Sequence, residues 1–158
     1  MNALSKSAGA TLIEVLVTVL VLAVGLLGLS STQVMSLKNG NNAHHRYLAA
    51  LAAQEMAERI RANPAGLGLG SYNDKTVNGT DETAQSCSSG CDGAQIAVMD
   101  LYDWGQVISD NLPGGTGEID RQGNVVTFTV KWKEQHTGEE AGTGDGLDDS
   151  EFVLVVEL

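Results

Sequence analysis

Basic residues are scarce: nine Lys and Arg stand against twenty Asp and Glu in 158 residues, a formal net charge of −11. Phosphate binding needs cations in clusters, so this composition points away from a nucleic-acid partner. Aromatic residues make up only 4% of the chain, so any core is modest. The catalytic signatures are missing too. There is no G-x-S-x-G, no H-E-x-x-H and no Gly-rich phosphate loop followed by Lys-Ser/Thr. The sequence therefore reads as a non-enzyme, with no catalytic, cofactor-binding or metal residues and no cofactor. Cysteine is limited to Cys87 and Cys91. In an exported domain such an isolated pair reads as a disulfide closing a tight loop. Zinc would need four ligands, and no second Cys/His pair sits at usable spacing.

What is present is uneven. Across residues 10–29 the only charge is Glu14, and the only other polar side chains are Thr11 and Thr18. Twenty such residues as a helix span roughly 30 Å, the thickness of a bilayer's hydrocarbon core. This is a transmembrane segment, not the core helix of a small domain. A secretory signal puts its apolar run before the small-residue cleavage site. Here the order is inverted, with a short polar leader, 1–9, then Ala8-Gly9, then the apolar run. Cleavage at Gly9 would leave the helix on the mature chain as an anchor.

Glu14 lies five residues into that helix, where a carboxylate costs about 2.5–3.5 kcal/mol on insertion scales. One reading pairs it with a new α-amino group on Ala10, in the same chain about 6 Å away by helical rise or in a neighbouring subunit. The other places it at the headgroup boundary, where a carboxylate is tolerated.

The run Gly9-Ala10-Thr11-Leu12-Ile13-Glu14-Val15-Leu16-Val17 resembles the class III signal of type IV prepilins, G-F-[TS]-L-[IV]-E, with Ala10 standing where that pattern has Phe. Three later segments are similar to PilV-type minor pilins. They are residues 19–29, the stretch Arg61-Ala62-Asn63-Pro64-Ala65-Gly66 with Ser71-Tyr72, and Asp103-Trp104 leading to Asn111-Leu112-Pro113-Gly114-Gly115-Thr116-Gly117. The resemblance implies prepilin-peptidase cleavage between Gly9 and Ala10, N-methylation of Ala10, and Glu14 as the assembly glutamate that pairs with a neighbouring subunit's amine. It implies other minor pilins (PilW, PilX, PilE and FimU types), the major pilin and a PilY-type tip adhesin as partners, with roles in twitching motility and adhesion. It places the chain in the bacterial inner membrane as a single pass, head in the periplasm, and then in a surface pilus. The same start is shared by minor pseudopilins of type II secretion systems. From another class, a single-span membrane protein with an exported binding domain would keep its leader uncleaved.

Beyond the membrane stretch no breaker intervenes before Pro64. Val34, Leu37, Leu48, Leu51, Ala52, Met56 and Ile60 recur at three- and four-residue spacing, the mark of an amphipathic helix face. The helix is expected over 10–62, because Asn63 precedes Pro64 and is pushed out of the α region. Gly25 and Gly28 serve close helix packing or a place where the helix loosens. Residues 65–99 read as a long connection, 96–112 as a second helix with Trp104 as its core anchor, and 113–115 as its stop. Strands are expected to begin at Gly117 and to cover 125–132 and 152–158, with a hairpin turn over 121–124. The expected fold is α+β and type IV pilin-like: a long N-terminal helix, transmembrane then amphipathic, packed against a small C-terminal antiparallel sheet, with a globular head over 63–158. The acidic stretch 139–151 (Glu139, Glu140, Asp145, Asp148, Asp149, Glu151) suits solvated turns or, by its carboxylates, calcium. The ordered EF-hand spacing is absent.

Overall fold

The computed structural model describes residues 11–80, 84, 86–88, 90–135 and 147–158. The architecture is α+β, a long N-terminal apolar helix and a small four-stranded antiparallel sheet. The elements in order are α1 (Leu12–Ala62), α2 (Pro64–Gly68), β1 (Lys75–Val77), α3 (Gly93–Asn111), β2 (Thr116–Gln122), β3 (Val125–Gln135) and β4 (Leu147–Glu157). Two compact units divide the chain, Met1–Lys38 and Asn39–Leu158, so α1 contributes to both.

In the second unit the sheet order follows the chain, β1-β2-β3-β4, every neighbour antiparallel. Alternation along β3 puts Val126, Phe128, Val130 and Trp132 on the buried face. The hairpin from β2 to β3 pairs Gln122 with Val125, leaving Gly123 and Asn124 as the loop. Gly123 has φ +66, which suits the first loop position of a type II′ turn, where glycine is required.

The helical side of this core is built from α1 and α3. Ala49, Ala52, Ala53, Met56, Ala57 and Ile60 of α1 are buried, at the three- and four-residue spacing of one helix face. Ala52, Met56 and Ile60 of the expected stripe lie on this face and Leu48 packs against it, while three of its members do not. Val34, Leu37 and Leu51 are exposed: the first two belong to the first unit, where each residue from Thr11 to Leu37 is exposed, and Leu51 falls off the face set by Ala49, Ala52, Ala53, Met56, Ala57 and Ile60. From α3 come Ala97, Leu101, Trp104 and Ile108. Trp104, 1% exposed, donates its indole N–H to the Ala52 carbonyl at 3.0 Å. It is the core anchor the sequence suggested. Gly117 of β2 runs under its ring: a Cβ there would fall 2.6 Å from Trp104 and 2.7 Å from Ile108.

The connection after α1 holds more structure than its composition suggested. Asn63 ends α1 and caps α2, its Oδ1 accepting from the Gly66 amide at 3.0 Å, with Pro64 in the first turn where its missing N–H costs nothing. α3 starts at Gly93, three residues earlier than expected. Asp92 and Gln95 form a capping box: Asp92 Oδ1 accepts from the Gln95 amide at 2.8 Å, and Gln95 Oε1 accepts from the Asp92 amide at 3.0 Å.

Candidate functional site

The first half of α1 is the candidate site. Each residue from Thr11 to Leu37 is exposed, including thirteen Leu, Ile and Val side chains between Leu12 and Leu29. Among the described residues this is the one helix long and apolar enough to cross a membrane. Its few hydroxyls are satisfied within the helix. Thr18 donates to the Glu14 carbonyl at 2.6 Å, Ser30 to Leu26, Ser31 to Gly28 and Thr32 to Leu29. That is how polar side chains become tolerable in hydrocarbon. Gly25 and Gly28 open onto empty space, where even an added Cβ would meet nothing.

Glu14 sits in the first turn of this helix and is exposed. The Glu14 and Val15 amides both bond to the Thr11 carbonyl, at 3.0 and 3.2 Å, so the helix is already formed at the glutamate. A carboxylate in a first turn is favoured by the helix dipole, and a nearby cation would favour it further. Gly9 and Ala10, the expected cleavage and methylation positions, lie outside the described residues.

Cys87 and Cys91 are joined as a disulfide, their Cα atoms 5.2 Å apart. Of the acidic stretch 139–151, Glu139, Glu140 and Asp145 lie outside the described residues. Asp148, Asp149 and Glu151 stand on β4, with Asp149 paired to Lys133 at 2.5 Å. Among the described residues no group of three His, Cys, Asp or Glu is placed to hold a metal ion.

The second unit holds two polar networks that sequence reasoning missed. In the first, the Tyr72 hydroxyl donates to Asp100 at 2.6 Å, and Asn63 Nδ2 donates to the Tyr72 oxygen at 2.8 Å and to the Gly93 carbonyl at 2.7 Å. Burial, and the hydrogen bond to Asp100 after it, push the Tyr72 phenol above its ordinary range. Arg59 joins Glu55, Asp100 and Asp103 at 2.8, 3.2 and 3.3 Å. Burial alone would lower its pKa, but the bonds to Glu55 and Asp100 outweigh it and raise it. In the second network, Arg46 grips Glu134 with two bonds of 2.9 and 3.0 Å. Asn42 donates to the Gln135 carbonyl at 3.0 Å, and Trp132 donates to Glu134 at 3.2 Å. The bond from Arg46 holds the Glu134 carboxyl below its ordinary range, against the opposite pull of burial. The partners across 28 to 93 residues left no spacing signal.

Two family models match the chain. One, described as Prokaryotic N-terminal methylation motif, covers residues 4–30, and the other, described as Type IV pilin Tt1218, covers residues 31–102. Together they support a type IV pilin. No curated protein and no solved structure matches. The methylation motif overlies the apolar half of α1 with Glu14, and the pilin model runs on through the rest of α1 into α3. The type IV pilin match implies a structural role in pilus or pseudopilus assembly, association with other pilins and with prepilin peptidase, and anchoring in a membrane.

Proposed function

We propose that this chain is a minor type IV pilin of the PilV kind, which helps start or tip a pilus and does no chemistry itself. One observation carries the reading: an apolar helical stretch with every side chain exposed and a single charge, Glu14, in its first turn. Such a surface requires lipid or other apolar helices, and the acid in it requires a partner. The membrane stores the subunit as a single inner-membrane pass with the head in the periplasm. Prepilin peptidase removes residues 1–9 after Gly9 and methylates Ala10. The helix then leaves lipid for a bundle of pilins, where helix packing replaces lipid contact. Glu14 meets a neighbour's terminal amine, which sets the axial offset between subunits. Partners on this reading are minor pilins of the PilW, PilX, PilE and FimU types, the major pilin and a PilY-type tip adhesin, in support of twitching motility and adhesion. Residues 10–62 are the assembly helix and 63–158 the exported head.

Mass spectrometry of the membrane-extracted protein tests this. The expected result is a mature chain starting at Ala10 with a methylated amine. A chain retaining residues 1–9 would overturn the proposal in favour of a plain single-span protein.

A further inference from the structure

Independently of the pilin reading, the sheet carries an unusual edge. Among the described residues β4 is the outermost strand, and it pairs with β3 in one unbroken register from Val125↔Glu157 to Gln135↔Leu147. Just beyond, the Leu158 amide bonds to the Asn124 carbonyl at 2.8 Å. Hydrogen-bonded and non-bonded pairs alternate in an antiparallel ladder. Phe152, Leu154 and Val156 therefore turn their backbone groups to β3, while Glu151, Val153, Val155 and Glu157 turn theirs to the open side. The same residues carry side chains on the outer face, where Val153 is 48% and Val155 59% exposed. On the inner face the apolar residues of β3 are buried, but Phe152, Leu154 and Val156 are only partly covered.

Proteins blunt edge strands by shortness, proline, bulges or charge. The opposite edge, β1, is three residues long. β4 is eleven residues long and has no proline and no bulge, and its charges, Asp148, Asp149, Glu151 and Glu157, leave the stretch 152–156 without one. Its central valines lie between two acids, Glu157 and Glu151, the latter beside Lys131 across the β3 pair. An open backbone row dictates a strand as occupant, and the two acids dictate its ends. A second copy fits poorly: antiparallel pairing about Leu154 sets Glu151 of one copy against Glu157 of the other, twice, between chains of net charge −11. We propose that residues 151–157 form a β-augmentation site for an extended strand of another polypeptide with basic residues at both ends. In an antiparallel match the basic ends face Glu157 and Glu151. β-branched residues at its third and fifth places lie beside Val155 and Val153. Its remaining apolar side chains extend the cover over Phe152, Leu154 and Val156.

The test uses the full chain in detergent and a labelled seven-residue peptide with lysine at both ends and alternating valine and threonine between. A glutamate-ended peptide is the comparison. The expected result is a preference of roughly ten-fold for the lysine-ended peptide, with amide exchange slowed at Val153 and Val155. Val155→Pro removes an outward N–H without touching the β3 pairs, and it should abolish binding. Glu151→Lys with Glu157→Lys should invert the peptide preference, and this readout stands even if the proline variant fails to fold. The proposal is overturned by unprotected Val153 and Val155 amides or by a charge reversal that leaves the preference unchanged. Self-association that Val155→Pro abolishes would also overturn it, since a second copy would then be the occupant.

Discussion

The two halves of α1 are made of the same backbone and serve opposite ends. Between Leu12 and Leu29 the helix carries large Leu, Val and Ile side chains, all exposed. Between Ala49 and Ile60 it buries six residues, four of them alanine. Bulk on a helix with no core beneath it is a surface for lipid or for other helices. Small residues on the buried half are what let a helix lie close to a sheet and to the Trp104 ring. Hydrophobicity around the whole circumference marks the part of the helix that needs outside partners, where Glu14 is the only charge among residues 10–29; the part that builds the head is apolar on one face only, with Gln54, Glu58 and Arg61 exposed on the others.

Paired substitutions sharpen that contrast. The largest effect is expected from Trp104→Ala, which should cost the head about 3–5 kcal/mol in chemical denaturation followed by circular dichroism. Leu20→Ala, an exposed position in the first half, should stay within about 0.5 kcal/mol. Next comes overpacking. Ala53→Leu forces bulk into a position with no exposure and should lose about 1–3 kcal/mol, whereas Ala23→Leu should leave the head's transition where it was. Equal losses in the two halves would erase the distinction.

A third prediction concerns pH. The folded pKa of Glu134 is depressed, chiefly by Arg46. Its contribution is therefore present above the unfolded glutamate value of about 4.3 and is lost as pH falls through the lower folded value. Melting temperature should drop over that acid window, and Glu134→Gln should flatten that part of the profile. The smallest effect is expected from Lys131→Ala. Its pair with Glu118 joins two half-exposed side chains, and its loss should move the head's melting temperature less than any of the other head substitutions.

Much of this fold can be read from local pattern. The apolar run, the α3 periodicity around Trp104, and the alternation in β3 and β4 each follow from spacing over a few residues. What escaped depends on partners far along the chain. β1 is three residues in a polar stretch and exists because it pairs with 117–119 of β2. α2 is a single turn held by the Asn63 cap. Ala52, Met56 and Ile60 followed from spacing, but Ala49, Ala53 and Ala57 on the same face did not, because alanine marks no face by itself. The Arg46–Glu134 clamp spans 88 positions. The exposed apolar helix with Glu14 in its first turn, in contrast, was legible, since it is contiguous in sequence.

The central claim is that the first half of α1 belongs to other subunits, with Glu14 fixing where it sits. The most direct measurement compares the amount of the parent chain and of Glu14→Gln in fibres sheared from the cell surface, at equal membrane levels. The account predicts that the Gln variant accumulates in the membrane and is lost from the fibres; equal recovery of both chains in the fibres would contradict it.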